Sequence, residues 1–330
     1  MVAQIDKNYA LTRPRKALVR LASYALFEGR PVTTRGRWIN PLLFAEFSLL
    51  RRLPQIKSVR KPLFVLGMGR SGTTILGLIL SMHREVGFLN EPKALWHTVR
   101  RDEDVIGNYS CGKGRYRLLA ADASADVVRA AHRLFGAYLA LTGSSRVVDK
   151  YPELIFRVPF IKAIFPDALF LIVIRNGMDT VASIERWSRD HRMHTQGEVH
   201  DWWGVNRQKW KLMREQLVLA DGGLNSIQDL VPYLSRQSDM AAVEWIVTMR
   251  EALRHRGRGS GDMLFLKYED LVAAPRLMLR QVGNFAGLDD DETYLSYGES
   301  VFKPGRRHEP PELHPGLQPL FDQTMQELGY

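Results

Sequence analysis

The sequence has little of several features that would define its class at once. It holds one cysteine among 330 residues, Cys111, so no disulfide forms within the chain and a cysteine-based metal site is disfavoured. The apolar run 168–174 is far shorter than the roughly 20 residues of a membrane-spanning helix. The first residues lack the apolar stretch of a signal peptide. We therefore expect a soluble, cytoplasmic protein.

Acidic residues are scarce in the first 61 positions. Thirteen Lys and Arg stand there against three acids, an excess of ten, which equals the formal charge of the whole chain, +10. Such a segment is typical of contact with nucleic acid, an anionic membrane or an acidic polymer, and also of a solvated extension. Its aromatic and aliphatic residues favour short helices packed on the core. We expect no nucleic-acid partner. A helix over 42–53 ending in Arg51 and Arg52 would allow peripheral contact with an anionic membrane, although packing on the core is the simpler interpretation.

A glycine-rich loop lacks the lysine of nucleotide hydrolases. The apolar run 63–66 predicts a strand, Gly67, Gly69 and Gly72 follow, and apolar spacing from Thr73 predicts a helix to position 83. A strand, a glycine loop and a helix N-terminus together form a cradle for phosphate. In a Walker A loop a lysine follows the last glycine, whereas here Thr73 does and the cation is Arg70 within the loop. The alternative interpretation is that the glycines form only a tight turn between the strand and the helix and bind no phosphate.

A second phosphate-binding pattern follows a second apolar strand. Residues 169–174 predict a buried strand that brings Arg175 to the carboxyl edge of the sheet, where α/β proteins bind ligands. Ser183 lies two helical turns further on, so a guanidinium and a hydroxyl could hold one phosphate from two sides. The alternative is an ordinary ion pair between Arg175 and Asp179.

The remaining pattern alternates helices and strands. It predicts helices near 125–141, 152–165 (with a kink or break at Pro159), 176 onward and 276–286, and strands at 146–149 and 262–267. We expect an α/β fold with a parallel sheet flanked by helices, a helical insertion at about 188–260 and an irregular tail from Lys303. The predicted division is a basic N-terminal extension, 1–61, packed on an α/β domain, 62–330.

Four motifs in this order resemble one enzyme family. Arg70-Ser-Gly-Thr-Thr74 is similar to the 5′-phosphosulfate loop of sulfotransferases that use 3′-phosphoadenosine 5′-phosphosulfate (PAPS). The run from Arg175 to Ser183 resembles their 3′-phosphate signature, and Asp149-Lys-Tyr-Pro152 resembles the element before it. The stretch from Lys267 to Leu288 resembles their segment near the adenosine. The resemblance covers 62–95 and 146–290.

The resemblance implies a P-loop-NTPase-like sulfotransferase fold and transfer of SO3 from PAPS to a hydroxyl, or less readily an amine, without a metal. It places Arg70 and the loop amides at the 5′-phosphate and bridging oxygen, and Lys150 at the leaving oxygen. Arg175 and Ser183 would bind the 3′-phosphate, and Tyr268 would lie against the nucleotide. The predicted loop residues are Gly69, Arg70, Ser71, Gly72, Thr73 and Thr74. The family's C-terminal Arg-Lys-Gly element is absent, and Gly305 and Arg306 are weaker candidates to replace it.

The catalytic base differs from that of the cytosolic members. Pro152 stands where the cytosolic members carry a histidine. The chain is therefore more similar to the bacterial and tyrosylprotein-type branch, in which a glutamate serves as the base. Glu91 follows a short apolar run that would form a returning strand beside the loop, and a carboxylate with a pKa near about 4.3 is ionised at neutral pH. His83 lies too far along the loop helix, and His97 remains a second candidate. Alternatively, Glu91 is a surface residue paired with Lys93 or Arg101.

Two other functions stay open at this point. A P-loop kinase or phosphotransferase with a degenerate loop would need an acid at the end of strand 169–174, where Arg175 stands. An inactive or nucleic-acid-binding module would use the basic segment. The acceptor is a small molecule, a carbohydrate or a lipid, and its pocket is expected to be walled by 91–101, 111–116 and the insertion.

Overall fold

Five parallel strands form the central sheet of this α/β protein. The computed structural model describes residues 2–30, 36–110, 113–195, 197–259, 261–303 and 310–330. The strands are β1 Leu63–Gly67, β2 Val86–Asn90, β3 Arg146–Lys150, β4 Leu169–Ile174, β5 Met193–Thr195, β6 Glu198–Asp201, β7 Gly204–Val205 and β8 Met263–Lys267. The sheet order is β2-β3-β1-β4-β8, and every pairing in it is parallel. The predicted fold class is confirmed, and each predicted strand forms within a residue or two of its predicted bounds.

Helices cover both faces of this sheet. They are α1 Lys7–Thr12, α2 Pro14–Leu26, α3 Asn40–Leu50, α4 Thr73–Ser81, α5 Lys93–Val99, α6 Ala125–Thr142, α7 Val158–Ile164, α8 Gly177–His191, α9 Gln208–Met213, α10 Asn225–Gln228, α11 Gln237–Gly257, α12 Tyr268–Ala273, α13 Pro275–Ala286, α14 Glu292–Val301 and α15 Gln318–Glu327. Successive residues of β1 alternate between two cores: Leu63 and Val65 pack on the side of α4 and α13, while Phe64 and Leu66 pack on the side of α6 and α11. Burial on both faces explains the unbroken apolar runs.

Two predicted segments differ from the structure, and a third is interrupted close to the break predicted at Pro159. The insertion at 188–260 is not wholly helical, because β5, β6 and β7 form a small antiparallel sheet before α9. Gly197 and Gly204, both with φ near 80°, allow the tight turns between these strands. The tail beyond Lys303 is not irregular throughout, since it ends in α15, where Phe321 packs on Trp245 with ring centroids 4.7 Å apart. The predicted helix 152–165 is divided into a 3-10 helix, Pro152–Arg157, and α7.

The N-terminal segment contacts helix α4 through α1 and strand β2 through α2. The Tyr9 hydroxyl lies 2.7 Å from the Ser81 hydroxyl of α4, and Lys16 donates to the Val86 carbonyl of β2 at 2.8 Å. The boundary at residues 61 and 62 stays a prediction. Among the described residues, no helix is both long enough and apolar enough to cross a membrane.

Strand β3 carries a buried acid next to Lys150. Asp149 is fully buried and accepts a hydrogen bond from the Trp96 indole at 2.7 Å, while its other oxygen has no partner among the described residues. Burial, only partly offset by the Trp96 hydrogen bond and Lys150, raises the pKa of Asp149 to about 8. Asp149 is therefore mostly protonated near neutral pH.

We expect Asp149→Asn to change the pH dependence of stability. The folded state holds the Asp149 proton more tightly than the unfolded chain, so the stability this carboxyl contributes is complete below pH ~4 and is lost as pH rises through about 8. The asparagine does not titrate. Its stability relative to wild type should therefore rise across that interval, by at most about 1.4 kcal/mol per pH unit. Urea unfolding at several pH values measures this, and a constant difference would contradict it.

Candidate active site

The loop after β1 is shaped by close contacts at its glycines. A Cβ on Gly72, whose φ is 88°, would lie 2.2 Å from the Tyr268 ring, and one on Gly69 would lie 2.5 Å from the Trp202 ring. These glycines therefore let two aromatic rings close over the loop. Helix α4 begins directly after it, so the unpaired first-turn N–H groups of Thr73 and Thr74 lie at the site. This is the geometry of an anion-binding loop.

Two arginines from different strands meet at this loop. The Arg70 side chain donates to the Ser183 hydroxyl of α8 at 3.2 Å, and Arg175 donates to the Arg70 carbonyl at 2.9 Å. Arg175 also lies over the Tyr268 ring, 4.5 Å from its centroid. The pair with Asp179 that was the alternative for Arg175 is not among the ion pairs of the described residues. Instead, Arg70, Arg175, Ser183 and Tyr268 form one cluster.

This cluster has the character of an anion site. Burial lowers the pKa of Arg70, and the neighbouring cations Arg175 and Arg186 lower it further. The positive charges of the cluster therefore repel one another. The Arg175 Nε and the Ser71 hydroxyl are buried without a hydrogen-bond partner in the described part of the chain. A bound anion would relieve the repulsion between the two arginines.

A carboxylate lies between two buried lysines on the other side of the loop. Strands β2 and β3 are neighbours, and the Glu91 N–H donates to the Lys150 carbonyl at 2.7 Å. The Lys150 ammonium contacts one Glu91 oxygen at 2.5 Å, and the Lys93 ammonium lies 3.1 Å from the other. Burial alone would raise the pKa of Glu91, but Lys150 and Lys93 outweigh it and hold that pKa well below its usual range. Glu91 is thus ionised and fixed at both oxygens.

Two cavities meet at these residues. The larger has a volume of about 740 Å³ and is lined by the Arg175 cluster, and the smaller, of about 230 Å³, is lined by Trp202 and other residues of the insertion. Both are lined by Arg70, Thr73, Thr74, Glu91, Lys93, Asn108 and Lys150. A group bound in one cavity therefore reaches a group bound in the other beside Glu91 and Lys150.

The two cavities differ in charge. Five cations and two carboxylates of the described residues line the larger cavity, a net charge of +3; they are Arg30, Arg70, Lys93, Lys150, Arg175, Glu28 and Glu91. Four cations and four carboxylates balance in the smaller; they are Arg70, Lys93, Lys150, Lys209, Glu91, Glu153, Asp201 and Glu244. The larger cavity thus suits a polyanion and the smaller a neutral group.

The structure brings nearly all predicted site residues to these cavities. Gly69, Arg70, Thr73, Thr74, Glu91, Lys150, Arg175, Ser183 and Tyr268 line them, together with Gly72, and Ser71 is buried in the loop between them. Gly305 and Arg306 lie outside the described residues. His83 is buried elsewhere against the Asp289 carbonyl, and His97 packs between the Phe44 and Tyr109 rings without lining either cavity.

Several lining residues carry no signal that the sequence patterns would detect. Lys93 was considered only as a surface partner of Glu91, but it is buried in the site. The Trp202 indole donates to Glu244 at 2.6 Å, and Glu244 pairs with Lys209 at 2.5 Å. These residues come together only through the fold of the insertion. Two segments were predicted to wall the acceptor pocket. The segment 91–101 contributes Glu91 and Lys93 to the smaller cavity, and the segment 111–116 contributes Tyr116.

Comparison with known proteins gives the class. Residues 62–221 match the model of the sulfotransferase family. Similar solved structures include the sulfotransferase STF1 from Mycobacterium tuberculosis H37Rv, at 14% identity over 98% of this chain and 93% of that one, with a TM-score of 0.49. A sulfotransferase from Alicyclobacillus acidocaldarius matches at 17% identity over 82% and 94%, with a TM-score of 0.44. Mouse sulfotransferase SULT7A1 complexed with PAP matches at 13% identity over 86% and 82%, with a TM-score of 0.39.

This match over residues 62–221 confirms the family predicted from the motifs. The kinase alternative gains no support, since β4 leads to Arg175 where a Walker B acid would stand. The branch within the family stays a prediction.

Proposed function

We propose that this protein transfers the sulfuryl group of PAPS to an acceptor hydroxyl, with an amine as the alternative, and releases adenosine 3′,5′-bisphosphate. One observation carries the proposal: a cavity of net charge +3 and a neutral cavity share a wall made of Arg70, Glu91 and Lys150. Sulfuryl transfer requires the donor and the acceptor to meet in line beside groups that neutralise charge on the leaving oxygens.

The residues of the larger cavity fit the donor. The loop amides from Gly69 to Thr74 and the Arg70 guanidinium would hold the 5′-phosphosulfate, while Arg175 and Ser183 would hold the 3′-phosphate. Tyr268, which already stacks under Arg175, offers a flat face for the nucleoside. Bound PAPS supplies an activated sulfuryl group on a good leaving group. Gly305 and Arg306 remain weaker candidates for the 3′-phosphate.

The shared wall supplies the chemistry. Glu91 would accept the proton of the acceptor hydroxyl, and the Lys150 ammonium would stabilise the charge on the leaving oxygen. Lys93 acts as a positioning residue, because it holds the second oxygen of Glu91 and so fixes the direction of the first.

Calorimetry tests the donor assignment. Adenosine 3′,5′-bisphosphate should bind without metal and more tightly than ATP with Mg²⁺ or an oligonucleotide. Arg175→Met should weaken bisphosphate binding about 10–100-fold, the cost of losing a charge-assisted hydrogen bond, and should change adenosine 5′-monophosphate binding little. Arg189→Met, which removes an exposed cation from the same helix region, serves as the matched control. Equal affinity for ATP with Mg²⁺ would refute the donor assignment.

Glu91→Gln tests the base. The amide preserves the shape of the side chain but accepts no proton, so turnover should fall roughly 10²–10⁴-fold while bisphosphate affinity is retained. Glu185→Gln, on an exposed part of α8, is the control and should leave turnover unchanged. Wild-type turnover in Glu91→Gln would exclude Glu91 and leave His97 as the remaining candidate.

The proposal includes a cytoplasmic location with peripheral contact to an anionic membrane. Helix α3 packs Leu43 and Phe47 on the core, yet its outer face and flanks are also apolar; the exposed side chains there are Trp38, Leu42, Leu49, Leu53 and Ile56. Trp38 is 76% exposed. The flanking cations Arg37, Arg52 and Arg60 are exposed too. An apolar face rimmed by arginines matches an anionic lipid surface, and a lipid hydroxyl is then one candidate acceptor.

Vesicle flotation tests this contact. The protein should float with phosphatidylserine vesicles at low salt and not with neutral phosphatidylcholine vesicles. Trp38→Ser with Leu42→Ser should reduce flotation at least about tenfold, because both side chains would lose their burial in lipid. Leu277→Ser removes an equally exposed leucine from α13 and should have no effect. Absence of flotation in wild type would refute membrane contact.

A further inference from the structure

The larger cavity has a wall that lies outside the matched sulfotransferase region. Residues Tyr24, Glu28, Gly29 and Arg30 of the N-terminal segment line it. The family match begins only at residue 62, so no motif of that family assigns a role to this wall.

Residues 28–30 are fixed to the site by several contacts. The Asn40 side chain accepts from the Arg30 N–H at 2.8 Å and donates to the Arg30 carbonyl at 2.9 Å. Glu28 accepts from the Asn90 N–H at 2.7 Å, one residue before Glu91. A Cβ on Gly29, whose φ is 68°, would lie 2.5 Å from the Ala94 Cβ. Only a glycine therefore lets the chain pass this close to α5. The position of Arg30 relative to Glu91 is therefore set by the fold.

Arg30 is a buried cation that has no carboxylate partner among the described residues. It is 6% exposed, and no ion pair of the described residues includes it. Its guanidinium lies 3.5 Å from the centroid of the Tyr24 ring and donates to the Tyr24 and Gly29 carbonyls at 2.8 and 3.0 Å. The nearby Glu28 is engaged instead by the buried Arg20. Buried charges normally lie against an opposite charge, so a guanidinium in a cavity wall with no carboxylate beside it in the described part of the chain is suited to bind an anion.

We propose that Arg30, supported by Tyr24, binds an anionic group of a substrate in the larger cavity. This inference rests on the proposed function and extends it, because the loop, Arg175 and Ser183 already account for the two phosphate positions of the donor. The anionic group is a carboxylate, phosphate or sulfate. It belongs to an acceptor that extends past the shared wall into the larger cavity or, as a further contact, to the donor nucleotide.

Arg30→Gln separates the two sources. In the donor arm, calorimetry compares adenosine 3′,5′-bisphosphate binding to wild type and variant. In the acceptor arm, 4-hydroxyphenylacetate and its methyl ester are titrated into the bisphosphate complex. If the acceptor supplies the anion, wild type should bind the acid about 10–100-fold more tightly than the ester, and the variant should lose that preference. If the donor supplies it, bisphosphate affinity should fall by a similar factor.

Two further variants serve as controls for Arg30→Gln. Arg30→Lys keeps the charge and should restore part of either effect, whereas Arg15→Gln removes an exposed cation from the same segment and should change neither. Unchanged bisphosphate affinity in Arg30→Gln, together with no preference for the acid in wild type, overturns the inference. A wild-type protein that binds no bisphosphate at all would instead overturn the proposed function.

Discussion

The site depends on one carboxylate shared by two buried lysines. Removing an ammonium group from water costs several kcal/mol unless an anion lies against it, and Lys150 and Lys93 are both almost completely buried. Glu91 compensates both, and it can do so because its backbone turns at a φ of 50° and is tied to the Lys150 carbonyl. The neighbouring positions of β2 and β3 in the sheet create this contact. Since the same three side chains line both cavities, the arrangement also fixes where the two cavities meet.

The same arrangement limits the basicity of Glu91. A carboxylate whose pKa is lowered by two ammonium groups is ionised at neutral pH but holds a proton weakly. If the donor binds as proposed, its negative charge attracts the Lys150 ammonium, which is then shared between the donor and Glu91. Glu91 becomes more basic because Lys150 stabilises its charge less. Lys93 stays in place, because Glu153 also lies near it at 3.8 Å, and continues to orient the carboxylate. Donor binding and activation of the acceptor are then linked through one lysine.

The sequence was most informative where the local pattern itself creates the structure. Apolar runs predicted β1 and β4. The loop residues and Arg175 follow the ends of those strands, and Ser183 lies in the helix after β4, so they meet in the fold. The strand before Glu91 was also predictable. Trp202, Glu244 and Lys209 were not, because they lie on separate turns and helices that only tertiary packing unites. The strands β5 to β7 were missed because they are short and lack alternating apolar residues.

In the basic N-terminal segment, too, tertiary packing decides what the sequence alone does not predict. Its excess charge suggested a surface for an external partner, yet charge counting cannot separate exposed arginines such as Arg37 and Arg52 from buried ones. Arg20 is neutralised by Glu28, whereas Arg30 lies in the wall of the larger cavity. Glu28 joins Arg20 to Asn90, the last residue of β2 and the one before Glu91, so the segment is built into the site and does not merely cover it. The functional unit of this protein therefore extends beyond the region that its sequence motifs define.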